Sequence, residues 1–335
     1  MAGSPEYCVV LPLAPLQVGR WIDRRAWPLH LTLVPNVRSN ADLDTLVGAV
    51  REAARGLPAL ATIISHEAWF DPDGSTLVDL AGVDDLRPAH EAVLDALQQH
   101  AGAVPVVPEH HRDGYRPHVT VTPGARAQRG ERPTFRTIAL VELGTEGRAG
   151  TAAPLALLDL AATDPPDVPS SMPRDAVVAL LRDLTERGVQ PWVIGGWGVD
   201  ALLGHPSRVH HDLDVFVDVA ELPALLTALP EIGMTVRFVW SENRWIGDHH
   251  LPSAFVADGP RGELDVHVVR LGPDGPVPLS ASHVSLPRDA LEGIGTIEGT
   301  PVRCATPEAQ LVMHTGYELP EQHRADIERL RALIA

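Results

Sequence analysis

Eleven consecutive residues near the middle of the chain, Thr163-Asp164-Pro165-Pro166-Asp167-Val168-Pro169-Ser170-Ser171-Met172-Pro173, carry four prolines among small and polar side chains. Proline locks φ and removes a backbone donor, so neither a helix nor a central strand runs through such a stretch. It predicts a linker at residues 163–173 between two domains, residues 1–162 and 174–335. Each half is close to the size of about 150 residues at which one hydrophobic core is comfortable.

The 44% hydrophobic and 21% charged composition, without long tracts of either, is that of a globular chain. A formal net charge of −17 repels a phosphodiester polymer, and no Lys/Arg-rich stripe compensates. Long nucleic acid is therefore a disfavoured partner, whereas surface acid suits solubility or an acidic cleft that attracts a small cation. Cys8 and Cys304 are too far apart in sequence for a disulfide framework or a metal cluster, which makes a reducing cytoplasm the expected setting. Glu6 and the prolines at 5, 12 and 15 break up any signal peptide, and no segment reaches the roughly 18 uncharged apolar residues of a membrane span.

In the first half, strands are expected at Tyr7–Leu13, Leu29–Val34, His118–Thr122, Arg136–Leu143 and Leu155–Leu160, with helices at Asp42–Ala54 and Arg87–His100. Two of these strands share a pattern: Pro28-Leu29-His30-Leu31-Thr32-Leu33 and Pro117-His118-Val119-Thr120-Val121. Alternation puts His30 with Thr32, and His118 with Thr120, on the face opposite the apolar residues. Two imidazoles in one cleft suit acid–base attack on a phosphodiester. A neutral one accepts a proton from the nucleophile, a protonated one donates to the leaving oxygen, and the hydroxyls hold phosphate oxygens without a metal. Tyr115 and Arg116, just before the second motif, read first as exposed loop positions and otherwise as cleft-lining residues, by stacking and by phosphate contact.

The doublet resembles the two-histidine (2H) phosphoesterase superfamily, which includes bacterial 2′-5′ RNA ligases and cyclic phosphodiesterases. The resemblance covers about the first 160 residues. It implies a bilobal α/β fold with one His-x-Thr strand per lobe, His30, Thr32, His118 and Thr120 as the active-site set, and no cofactor. The charge favours a small nucleotide phosphodiester as its substrate.

The second half opens with a helix marked by Val177, Leu180, Leu181 and Leu184 and stopped at Gly188. Next, Trp192-Val193-Ile194-Gly195-Gly196-Trp197 reads as a strand entering a tight glycine turn, where backbone amides can approach phosphate oxygens. Asp212-Leu213-Asp214-Val215-Phe216-Val217 then places two carboxylates on one strand face. Such a pair repels unless a cation lies between its members. Mg²⁺ favours carboxylate oxygens plus substrate phosphates, and two such ions can activate a hydroxyl and stabilise departing pyrophosphate.

Glu263-Leu264-Asp265-Val266-His267 supplies a third acid on another alternating strand. Asp265 can complete the metal site or take the acceptor's proton; His267 reads as a supporting residue. His249 and His250 read as a loop pair.

The order Gly-Gly, Asp-x-Asp, third Asp resembles the nucleotidyltransferase superfold shared with DNA polymerase β, a mixed sheet with flanking helices. The run Gly195 to Gly204, followed by Arg208-Val209-His210-His211-Asp212-Leu213-Asp214, is similar specifically to lincosamide and aminoglycoside 2″-nucleotidyltransferases. The likeness continues through Leu264-Asp265-Val266-His267, Gly299 to Cys304, Gly316-Tyr317 and Asp326 to Leu330. It implies transfer of AMP from ATP, or of another NMP from its NTP, to a hydroxyl of a small and possibly cationic antibiotic. Gly195, Gly196 and Arg208 would contact the triphosphate, and Asp212, Asp214 and Asp265 would hold Mg²⁺. His323 departs from the pattern, where an acid is expected ahead of the last helix.

The chain thus reads as an α/β (α+β) bifunctional enzyme. The alternatives are a nucleotidyltransferase acting on RNA or protein beside an RNA-end-processing domain, and a binding protein whose motifs form a pocket without turnover.

Overall fold

The computed structural model of the chain describes residues 4–70, 76–122, 125–144, 148–160, 171–240, 245–246, 251–281, 284–314 and 321–334. The chain divides into two compact units, Met1–Asp164 and Pro165–Ala335. Most of the expected linker, together with His249, His250, Gly316 and Tyr317, lies outside the described residues. No helix among the described residues is long and apolar enough to cross a membrane.

The main elements of the first unit are β1 (Glu6–Pro12), β2 (His30–Arg38), α1 (Leu43–Arg55), β3 (Ile64–Trp69), β4 (Leu77–Ala81), α2 (Val83–Ala101), β5 (His118–Thr120), β6 (Thr137–Leu143) and β7 (Thr151–Asp159). The strands form one antiparallel sheet in the order β7-β6-β1-β2-β5-β4-β3. Asp42 starts α1 by accepting from the Thr45 N–H at 2.7 Å, and the helix buries Leu43, Leu46, Val47 and Val50. α2 begins four residues earlier than its apolar spacing predicts and keeps Pro88 inside it. The missing N–H forfeits one backbone bond, but Leu86, Ala89, His90, Val93, Leu94 and Leu97 are all buried, and that packing outweighs the loss. The last strand also starts earlier than expected, at Thr151.

The second unit is built from α3 (Arg174–Glu186), β8 (Trp192–Val193), α4 (Gly195–Leu203), β9 (Asp212–Asp218), α5 (Leu222–Glu231), β10 (Thr235–Val239), β11 (Ala254–Gly259), β12 (Gly262–Gly272), β13 (Gly275–Pro278), β14 (Gly293–Ile297), β15 (Thr300–Cys304), α6 (Pro307–Met313) and α7 (Glu321–Ile334). Its sheet is mixed, in the order β14-β15-β8-β9-β12-β11-β10, with β13 folding back on the end of β12. The pairs β8–β15 and β9–β12 are parallel. Leu213, Val215, Val217, Leu264, Val266 and Val268 are fully buried, and each contributes about 1.5–3 kcal/mol by leaving water. That burial fixes the register of β9 against β12, because a one-residue slip would turn every one of these side chains to the other face.

Candidate active sites

In the first unit, Leu31 pairs with Val119 across β2 and β5. Both are fully buried, so their neighbours His30, Thr32, His118 and Thr120 share the opposite face. The antiparallel register sets His30 beside Thr120 and Thr32 beside His118. The two motifs thus sit on hydrogen-bonded neighbours in one sheet, a closer placement than two facing strands. All four line a cleft of about 1020 Å³.

The imidazoles are anchored alike. His30 Nδ1 donates to the Pro28 carbonyl at 2.8 Å, and His118 Nδ1 donates to the Arg116 carbonyl at 2.8 Å. A carbonyl only accepts, so each Nδ1 carries the hydrogen and Nε2 is the nitrogen placed to exchange a proton. Trp27 lies against His30 with ring centroids 4.0 Å apart, and Phe70 against His118 at 4.1 Å. Burial is the main force pushing the His30 pKa down to about 4, with the charges of His118 and Arg24 adding to it against the opposing Pro28 bond. Arg24, Arg25 and Arg116 bring positive charge to the same cleft.

Tyr115 is buried, which corrects the expectation of an exposed loop position; Arg116 is exposed. The Tyr115 ring stacks on His90 at 4.1 Å, and its hydroxyl donates to the Thr32 carbonyl at 3.0 Å. His90 in turn donates to the Leu33 carbonyl and accepts from the Arg112 N–H. This network ties the segment preceding the second motif to the strand of the first. No local pattern around His90, a lone histidine on an apolar helix face, signals it in the sequence.

In the second unit, β8 runs antiparallel to β9 and delivers its end to where β9 begins: the Ile194 N–H donates to the Asp214 carbonyl at 3.0 Å. The chain then enters α4 directly, so the expected glycine turn is the first turn of a helix. Gly195 has φ +60°, and a Cβ there would collide with the Asp214 carboxylate. A Cβ on Gly196 would meet the Arg208 guanidinium and the His210 ring. The N–H groups of a first helical turn lack intrahelical partners, so this bare cradle beside Asp214 suits anionic oxygens.

Along β9 and β12, Asp212 lies opposite Glu263, Asp214 opposite Asp265, and Phe216 opposite His267. Burial, reinforced by the charges of Asp265 and Asp212, raises the Asp214 pKa well above the usual carboxylate range. Asp265 is pushed up to about 7, again mainly by burial, although the Trp240 indole N–H donates to its Oδ1 at 2.9 Å. Two half-buried carboxylates raised by burial and by the charges of neighbouring acids form a donor set that a divalent cation fits. Among the described residues, ligand-type atoms of Asp214, Asp265 and His267 lie within 4.8 Å of one another, with Asp212 two residues before Asp214 on the same face of β9. Burial drives the His267 pKa down to about 4, keeping the ring neutral.

Arg208 is held by Asp326 of α7, Nη2 to Oδ2 at 3.2 Å, and Asp326 also accepts from Arg329 at 3.0 Å. Asp200 and His210, both buried, pair at 2.7 Å, and the Ser207 N–H donates to the other Asp200 oxygen at 2.9 Å. Burial works against charge on Asp200, but these bonds outweigh it and hold its pKa below the usual range. Together they pin residues 207–210 beside Gly196. Asp200 carries a signal in retrospect, an acid among the buried residues of α4; Trp240 carries none. His323 lies inside α7, not ahead of it.

A family model described as aminoglycoside-2″-adenylyltransferase matches residues 176–330, and one described as the 2′-5′ RNA ligase superfamily matches residues 15–139. A lincosamide resistance protein of Staphylococcus haemolyticus is 30% identical over 146 residues, 42% of this chain and 84% of that protein. The crystal structure of lincosamide antibiotic adenylyltransferase LnuA, lincomycin-bound, is 25% identical with a TM-score of 0.40, covering 49% of this chain and 99% of the other. Escherichia coli LigT complexed with 3′-AMP is 14% identical with a TM-score of 0.30, covering 47% of this chain and 99% of its own. Through its second unit, where the aminoglycoside-2″-adenylyltransferase model matches, the chain belongs to the family of that lincosamide resistance protein, while its first unit is similar to the 2′-5′ RNA ligase superfamily.

Proposed function

We propose that the second unit transfers AMP from ATP to a hydroxyl of a lincosamide- or aminoglycoside-type antibiotic. The observation that carries this reading is the parallel register that sets Asp214 opposite Asp265 next to the helix start at Gly195. Asp212, Asp214 and Asp265 would hold the divalent cation, Mg²⁺ by the family likeness, which would screen phosphate charge and favour departure of pyrophosphate. Gly195 and Gly196 let the backbone approach the triphosphate, and Arg208, oriented by Asp326, contacts its oxygens. The acceptor oxygen bonds to the α-phosphorus, the α–β bridging bond breaks, and the hydroxyl proton passes to Asp265, a carboxylate beside the reacting oxygen.

The first unit opens a phosphodiester. His30, held neutral by burial, accepts the proton of the attacking oxygen, and His118 protonates the leaving oxygen. Thr32 and Thr120 hold the phosphate between them. Nucleotidyl transfer to a hydroxyl itself produces a phosphodiester, so the two units act on the same class of bond. Both cysteines are buried free thiols, in keeping with action in a reducing cytoplasm.

The test is pyrophosphate release with each NTP, Mg²⁺ and a panel of lincosamides and aminoglycosides, with Asp212→Ala as the control. Release that needs one acceptor class and disappears in Asp212→Ala is the expected result; release that persists in the variant contradicts the assignment.

A further inference from the structure

The acid ladder on β9 and β12 ends in an aromatic pocket. Asp214 and Asp265 face each other, and one register step further in, Phe216 faces His267. The His267 ring meets Phe216 edge-on, with centroids 6.0 Å apart at 81°, and Trp240 at 4.8 Å and 87°. Two perpendicular contacts fix the plane of the imidazole. Trp240 also donates to Asp265 Oδ1, so one indole orients both the histidine and the acid. His267 Nε2 lies 3.8 Å from Asp265 Oδ1, beyond hydrogen-bond reach yet at the separation of two ligands sharing one ion. Asp214 closes the triangle, the three ligand atoms all within 4.8 Å of one another. Ligands about 2.0–2.2 Å from a common ion lie within about 4.4 Å of each other, so a small contraction brings these three onto it.

Resting on the metal-dependent reading of this site, we infer that His267 is a direct nitrogen ligand and that the site selects a divalent transition ion of the Mn²⁺ type over Mg²⁺. Mg²⁺ favours oxygen ligands throughout and keeps several waters, whereas an imidazole held in place favours ions that accept nitrogen. Two carboxylates and one imidazole leave the remaining positions to water and to triphosphate oxygens. Asp212, two residues before Asp214 on the same face of β9, would hold a second ion.

The full chain titrated with MnCl₂ and with MgCl₂ by calorimetry, and examined with Mn²⁺ bound by pulsed electron paramagnetic resonance, tests this. Expected are a ¹⁴N coupling to bound Mn²⁺ and Mn²⁺ affinity about 10-fold or more above that for Mg²⁺. His267→Gln should remove the coupling and weaken Mn²⁺ about 10- to 100-fold, while Mg²⁺ affinity moves by less than about 3-fold. The wild-type coupling needs no variant, so a misfolded His267→Gln leaves the test intact. Binding without a ¹⁴N coupling and with equal affinities overturns the nitrogen ligand and leaves an all-oxygen Mg²⁺ site standing. Binding of neither ion, unchanged in Asp214→Asn, overturns both.

Discussion

A carboxylate that must be charged to hold a cation is the one burial most opposes. As proposed metal ligands, Asp214 and Asp265 are in that position: desolvation raises both, reinforced by Asp265 and Asp212 at Asp214 and by Asp212 and Glu263 at Asp265, and a bound cation would relieve them. His30 shows the reverse, a base that burial keeps ready. Its folded pKa of about 4 lies below the ordinary histidine value of about 6.5, so the neutral form persists as pH falls through 6.5 and is lost only near 4. For hydrolysis of a small nucleotide phosphodiester such as 2′,3′-cyclic AMP, the acid limb of the kcat/KM profile should bend near pH 4. A bend between pH 6 and 7 would show that His30 is not the proton acceptor.

At the scale of elements, α7 is tied to the site through one buried acid. Asp326 carries both Arg208 and Arg329, and its replacement by Asn weakens two charge-assisted bonds. The variant should lose about 1–3 kcal/mol of stability, and amide exchange should rise in residues 321–334 before the β9–β12 core responds. Uniform exchange across the second unit would mean that Asp326 does not anchor the helix. The strands that carry the candidate site residues were legible because period-two alternation is unambiguous when one face is fully buried, as at Leu31, Val119, Leu213 and Leu264. The start of α2 was not, because Pro88 looks like a helix boundary until the buried residues on both sides of it are seen. Trp240 was not legible as a site residue, and Tyr115 only as a candidate lining residue, since their roles come from partners 25 and 83 positions away.

At the scale of the molecule, two candidate sites share one chain of net charge −17, and the residues proposed for each come from one unit alone. The sheet of each unit is organised differently. An antiparallel sheet brings two histidine strands side by side, and a parallel pair in a mixed sheet brings two acid strands into register. Each site's residues therefore follow from strand pairing within its own unit, and damage to one should leave the other intact.

The most direct measurement takes Asp214→Asn and His30→Ala, in the full chain, through both assays: pyrophosphate release in the presence of ATP and acceptor, and phosphodiester hydrolysis without divalent metal. Asp214→Asn should lower transfer at least about 100-fold and keep hydrolysis within about twofold of wild type, and His30→Ala should do the opposite. Transfer that survives in Asp214→Asn at a rate near wild type would contradict the assignment of the paired carboxylates.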